Sequence, residues 1–250
     1  MQVDPIHQFE ITDLIRLGSF HGHQIAVTNS SVYMFIIVAI VSAVLIGGTS
    51  RRAIVPGRLQ SIAEILYEFI ANMVRGSAGP EGMKFFPFVF TLFMFVLAAN
   101  LIGLIPYSFT VTSQLIITVS LALAVFFLVL GYGFWKNGLH FLNLFVPKGV
   151  PLWIMPVIVP IEVMSFLTRP VSHSIRLFAN MLAGHIALQV FAGFIIMLSG
   201  AGILGWFGAV LPLAMVIALC ALELLVAVLQ AYVFAILTCI YLNDAIHPGH

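Results

Sequence analysis

Arg176 lies within an apolar helical stretch, Val171 to Leu198, that carries no acid. A guanidinium does not shed its proton, so it stays charged wherever the chain puts it. At mid-membrane it costs about 2.5–3.5 kcal/mol on insertion scales. Such a charge is kept where it lines a path or faces a partner's opposite charge. Further polar residues share the last two apolar stretches: Glu162, Arg169, His173, Asn180, His185, Glu223, Gln230 and Asp244. His185 and Glu223 are residue types that relay protons, because imidazole titrates near neutrality and a carboxyl responds strongly to burial and to charge. Asn180 and Gln230 can orient water or act as interhelical glue. Arg176 cannot relay, but it can hold a carboxylate ionised and repel a proton that tries to pass straight through.

Two long helices must position these residues, one over about 161–199 with Pro170 inside it, the other over about 207–242. Folding them about the glycine-rich turn Gly200 to Gly205 sets Arg176 level with Gln230, His185 nearly level with Glu223, and Glu162 level with Asp244. Arg176 and Asn180, four apart, share a face. Glu162 falls within about 40° of that direction. His185, nine residues from Arg176, points to the opposite side. A path entering on one side and leaving on another fits that split, as does a distorted helix. Arg169 and His173 sit nearer the helix end, where snorkelling or lipid contact suits them. Pro212 to Asn243 holds no further Pro or Gly; roughly 30 residues at about 1.5 Å give ~45 Å against a ~30 Å hydrocarbon core. The final pair is therefore read as a strongly tilted hairpin.

The 250-residue chain is 62% hydrophobic and 8% charged, with a mean hydropathy of +1.14, against about 25% charged residues in a soluble domain. The class is an all-α membrane protein forming one membrane domain over 1–250. Within it, 1–29 is an outer N-terminal segment, 30–135 holds the first three spans, 136–160 is a Pro-rich interfacial connection and 161–242 is the channel-forming hairpin. The first spans are expected over 32–48, 85–105 and 115–135. A surface helix over 58–75 places Ile62, Ile65, Leu66, Phe69, Ile70 and Met73 on one side and Glu64 and Glu68 on its wet face. Pro147, Pro151, Pro156 and Pro160 exclude a continuous spanning helix over 136–160.

A net charge of +1 gives no support for nucleic-acid binding. Cys220 and Cys239 form no CxxC and read as buried small hydrophobes. His21-Gly22-His23 reads as a surface loop, so no metal and no cofactor are expected. Met1 to Asn29, with Asp4, Glu10 and Asp13, does not resemble a cleavable signal. Arg51, Arg52, Arg58, Arg75, Lys84, Lys136 and Lys148 crowd one side, against Arg16 alone on the other. That bias sets the N-terminus outside and the C-terminus in the cytoplasm. Because no level acid in the chain neutralises Arg176, its counterion is expected from another subunit. A moving carboxylate meeting a fixed arginine between offset half-channels makes a rotary or shuttling proton device. The rivals are a secondary cation or proton transporter, for which no internal repeat is found, and a purely structural membrane anchor.

The run Ser174-Ile-Arg176-Leu-Phe178-Ala-Asn180-Met-Leu-Ala-Gly184-His185 resembles the R-L-F-x-N-x-x-A-G signature of the a-subunit family of F-type ATP synthases, the stator proton channel. Glu223 to Phe234 is similar to that family's last helix with its Q-A-x-x-F, and Asn100-Leu-Ile-Gly103-Leu-Ile-Pro106 to its N-L-x-G-L-x-P. The resemblance covers nearly the whole chain. It implies that Arg176 faces a c-ring carboxylate, with Gln230 beside it. Asn180, His185 and Glu223 would line the outer half-channel, and Glu162 the cytoplasmic one. It also implies c-ring, b-type peripheral-stalk and other synthase subunits as partners, in a bacterial inner membrane or, alternatively, a mitochondrial one. ATP chemistry would lie in those partners. Some bacterial members carry an acid where His185 stands and a histidine where Glu223 stands. The exchanged pair here resembles mitochondrial and related bacterial forms and leaves open which residue holds the proton at rest. The choice of H⁺ or Na⁺ and the ring's subunit number lie with the ring.

Overall fold

A computed structural model describes residues 11–20, 23–50, 56–105, 108–146, 153–200 and 202–247. Asp4, Glu10, His21, Gly22, Arg51, Arg52, Pro106, Pro147, Lys148 and Pro151, named above, lie outside the described residues, as does the side chain of His23. The chain opens with two strands, β1 (Asp13–Phe20) and β2 (His23–Thr28). The helices follow as α1 (Asn29–Thr49), α2 (Arg58–Gly82), α3 (Phe86–Gly103), α4 (Leu115–Asn137), α5 (Met155–Ser199) and α6 (Ile203–Ile246). Short 3-10 turns occupy Met83–Phe85, Val111–Ser113 and Gly138–Phe145. Five helical segments are long and apolar enough to cross a membrane, with α2 and α3 sharing one of them. Helices suit that setting because hydrocarbon offers no partner for an unpaired backbone N–H or C=O.

The fold departs from the sequence reading at four places. The N-terminal segment forms an antiparallel hairpin, β1 on β2, pairing Asp13 with Thr28 and Arg16 with Ala26. The Asn29 backbone N–H donates to the Thr12 carbonyl at 3.1 Å. Its side-chain oxygen accepts from the Thr12 N–H at 3.3 Å and the Ser30 N–H at 2.8 Å. That one side chain joins the hairpin to the start of α1. α2 runs past 75 to Gly82, broken at Gly79, whose φ of 66° is a left-handed value that glycine tolerates before Pro80. α5 begins at Met155, inside the stretch read as interfacial. Pro156 falls in the first turn, where its missing N–H would have had no helical acceptor, and Pro160 and Pro170 are carried inside the helix. Finally, Cys239 is buried but Cys220 is exposed on α6, not packed away.

α5 and α6 have 45 and 44 residues, contours of roughly 65 Å at about 1.5 Å per residue. They are longer still than the sequence reading gave.

The chain forms two compact units. The first comprises Met1–Val41, Phe95–Gln114 and Leu177–Ala231; the second comprises Ser42–Met94, Leu115–Arg176 and Tyr232–His250.

In the second unit α2 buries Ala63, Ile70, Ala71, Met73, Val74 and Ala78, while Ile62, Ile65 and Phe69 remain exposed. The apolar arc read as one stripe is therefore divided between a protein-facing side and a side left for lipid. Phe141 is fully buried against Gly133, where a Cβ would collide with the ring. Phe145 and Phe166 pack on it edge to face, and Phe126 tilts against Phe166. The C-terminal end of α6 is held from α4. Asn137 Nδ2 donates to the Ala245 carbonyl at 2.8 Å, and Lys136 Nζ donates to the Ile246 carbonyl at 3.4 Å and to Glu81 at 2.5 Å. These bonds satisfy terminal carbonyls that no later N–H in the helix can reach. The Lys136 hydrogen bond and then its charge hold the Glu81 carboxyl below its usual range.

Asn137→Ala should free the Ala245 carbonyl and cost about 1 kcal/mol. The expected outcome is a lower thermal midpoint of the detergent-solubilised protein with unchanged helix content by circular dichroism, and an unmoved midpoint would show that the bond contributes nothing.

Candidate functional site

The first unit brings four of the singled-out residues onto facing stretches of α5 and α6. Asn180 Nδ2 donates to Gln230 Oε1 at 2.9 Å. One turn further along α5, Gly184 lies against Glu223, so that a Cβ at 184 would fall on the carboxyl. A carboxylate-bearing side chain can lie this close to a helix only where the helix presents no side chain of its own. Glu223 is 9% exposed and His185, the next residue on α5, is 7% exposed. Both Glu223 carboxyl oxygens are buried with no hydrogen-bond partner among the described residues. Burying such a group unpaired is costly, a cost characteristic of functional positions rather than packing ones.

α3 and the segment after it complete this arrangement. Asn100, fully buried, donates from Nδ2 to the Ala227 carbonyl at 3.1 Å. Ala227 lies on α6 between Glu223 and Gln230, and its small side chain leaves the backbone within reach. Thr110, also fully buried, makes a 3.2 Å hydrogen bond to His185 Nε2. Sequence reasoning passed over Thr110. Its signal was faint: Ser108, Thr110, Thr112, Ser113 and Gln114 crowd a seven-residue connection between two apolar spans.

The second unit holds the remaining residues. Arg169 forms an ion pair with Asp244 at 2.7 Å, with its guanidinium 5.2 Å from the Phe166 ring centre and 4.9 Å from that of Tyr241. This corrects two expectations. Asp244 is paired with Arg169, not set level with Glu162, because two carboxylates repel where a guanidinium fork attracts. Nor is Arg169 simply a snorkelling residue, since its charge is matched inside the chain. Glu162 is half-buried on the first turns of α5. His173 is 3% exposed and its ring lies 3.7 Å, centre to centre, from Phe234. It is therefore a packed residue and not a lipid-facing one. Arg176 is exposed, and among the described residues it enters no ion pair. Gln230, expected level with Arg176, has its side-chain oxygen engaged by Asn180 instead.

Chemically, the first unit brings together a carboxyl, an imidazole, three carboxamides and a hydroxyl, the last on the segment between α3 and α4. Each is able to exchange or orient protons. In the second unit Arg169 is matched by Asp244, while Arg176 enters no ion pair among the described residues.

Residues 31–243 match the family model described as ATP synthase A chain. The chain belongs to that family. Aligned over all 250 residues, it is 67% identical to ATP synthase subunit a of Rhodopseudomonas palustris strain TIE-1, and the alignment covers the whole of both chains. It is 64% identical over 248 residues to the subunit a of R. palustris strain BisB18, and 65% identical over 248 residues to that of Nitrobacter winogradskyi strain Nb-255. In both cases 99% of this chain and 100% of the relative are covered. Membership accords with five membrane-spanning segments in a multi-pass protein. All the residues of both constellations, from Asn100 to Gln230, lie inside the matched region, and only Asp244 falls just beyond it.

Gly184→Ala tests the close approach directly. The added methyl must push the Glu223 carboxyl aside, at a cost of about 1–3 kcal/mol for an overpacked site. Shortening the acid in Gly184→Ala/Glu223→Asp should recover part of the loss. A thermal-unfolding double-mutant cycle with no coupling between the two changes would show that the groups do not touch.

Proposed function

We propose that the chain is the proton-conducting stator of a rotary ATP synthase, working through two offset half-channels against a ring of c subunits. A proton enters from the outer side past Glu223, His185 and Asn180 and protonates a ring carboxylate. The neutral site can then turn through lipid, where a charged one would be held back. On completing its turn it meets Arg176, whose positive charge favours the ionised carboxylate, and the released proton leaves past Glu162 to the cytoplasm. Gln230, held by Asn180, would orient polar groups near the arginine. Each proton crossing 100 mV supplies about 2.3 kcal/mol, too little for one ATP, so a ring must sum several. ATP chemistry itself would take place in partner subunits, with b-type stalk subunits holding this chain still. In this reading the N-terminus lies outside a bacterial inner membrane and the C-terminus in the cytoplasm.

The observation that carries this reading is Arg176: an exposed guanidinium on an apolar helix, with no acid paired to it among the described residues. A bilayer makes that arrangement costly. A partner's carboxylate is the simplest counterion, and family membership accords with a ring that carries one. A structural anchor would have no use for the unpaired charge.

In the assembled complex reconstituted into vesicles, Arg176→Ala should abolish ATP synthesis driven by an imposed proton gradient while the complex still assembles. Normal synthesis in that variant would refute the assignment. Glu223→Gln should slow proton entry without uncoupling, so that ATP yield per proton is kept as the rate falls.

A further inference from the structure

We infer that Thr110 is a positioning residue for the proton-carrying imidazole of His185, and that Gly103 is glycine in order to give Thr110 its place. The inference rests on the proton-path reading above and extends it to the segment between α3 and α4. Thr110 Oγ1 lies 3.2 Å from His185 Nε2 across 75 residues of sequence, and Thr110 is fully buried. Its backbone is held firmly. The Thr110 carbonyl accepts from Ser113 Oγ at 2.7 Å and from the Ser113 N–H at 3.3 Å. Ser108 Oγ ties the start of the segment to the end of α3, donating to the Ile102 carbonyl at 2.6 Å and the Ile105 carbonyl at 2.8 Å. The hydroxyl thus stands on a fixed platform.

Gly103 sets which way that hydroxyl turns. A Cβ at position 103 would come within 2.8 Å of Thr110 Cγ2 and 3.3 Å of its Oγ1. The threonine methyl packs onto the bare glycine, and with Cγ2 seated there Oγ1 is directed to the imidazole. A β-branched side chain has few χ1 choices, so one packed methyl selects the rotamer.

A hydroxyl suits this post for a chemical reason. It donates to Nε2 when the imidazole is neutral with its proton on Nδ1, and it accepts from Nε2–H when the imidazole is charged. A carbonyl could serve only the second state. Thr110 therefore holds the ring's orientation through both halves of a proton transfer while keeping no proton itself. The groups around His185 fit that division of labour. α6 presents the titratable Glu223 against Gly184. From the segment after α3 comes the neutral Thr110, and the other described polar residues of that segment, Ser108, Thr112 and Ser113, are likewise uncharged.

The test uses the assembled complex in vesicles, with proton flux into the ring followed against outer-side pH. Thr110→Val keeps the shape and removes the hydroxyl; Thr110→Ser keeps the hydroxyl. The valine variant should assemble normally, lose about fivefold in flux, the equivalent of one ordinary hydrogen bond, and show a displaced midpoint in the pH profile. The serine variant should restore most of the flux and bring the midpoint back. Gly103→Ala, which forces Thr110 to move, should displace the midpoint as Thr110→Val does. A valine variant whose flux and pH profile coincide with those of the unaltered chain overturns the inference. So does a serine variant as impaired as valine, which would mark the site as one of packing alone. If Arg176→Ala still abolishes coupled synthesis while Thr110→Val changes nothing, the proton-path reading stands and this assignment falls. If Arg176→Ala leaves synthesis intact, the reading beneath it falls first.

Discussion

The contact of Glu223 with Gly184 is the constraint from which the rest of the first unit follows. A carboxyl buried beside a helix needs space that only a missing side chain provides. Once it is there, α5 and α6 have little freedom to slide past one another. The Asn180–Gln230 hydrogen bond, one helical turn away, holds the same pairing with groups that carry no charge. Asn100 then secures α6 from a third helix through the Ala227 carbonyl. Glycine, alanine and carboxamides do here what larger apolar side chains do in a soluble core. In a lipid setting close backbone approach and a few interhelical hydrogen bonds are the forces that distinguish one packing from another.

Much of this was legible from residue types and spacing. The ends of α1, α3 and α4 lie within about three residues of the sequence reading, because long apolar runs bounded by polar or Pro-containing segments leave few alternatives. The start of α5 was misjudged. Proline was taken as a barrier along its whole spacing, although Pro156 sits where a helix has no bond to lose and Pro160 removes only one. Depth matching along the hairpin brought His185 and Glu223 to neighbouring levels but misassigned the ends. It set Asp244 against Glu162, ignoring that Arg169, only seven residues further along α5, offered the opposite charge. Level arguments rank distances and carry no information about which groups attract. Thr110 was invisible for another reason. A hydroxyl in a connecting segment has no periodicity to betray it, and its partner lies 75 residues away.

The two units also differ in the kind of polarity they bury. In the second, Arg169 is neutralised by Asp244 and flanked by the Phe166 and Tyr241 rings, an arrangement that fixes charge in place. A matched pair of this kind exchanges protons poorly, since removing or adding one leaves the other charge unpaired and half-buried. In the first unit the buried carboxyl, Glu223, lies against Gly184. Glu223 is a carboxyl without a hydrogen-bond partner among the described residues, and His185 is held by a hydroxyl that can reverse its role.

That contrast bears on Arg176, which stands at the last position of the second unit on α5. Were it matched within the chain as Arg169 is, its field toward a neighbouring group would be largely cancelled. In no ion pair among the described residues, it gives any neighbouring carboxylate a reason to ionise. On the proposed reading the same charge would also oppose leakage, because a proton that approaches a cation in a medium of low dielectric is repelled. On that reading a single arginine would both draw a proton off a carboxyl brought to it by another molecule and bar the direct route.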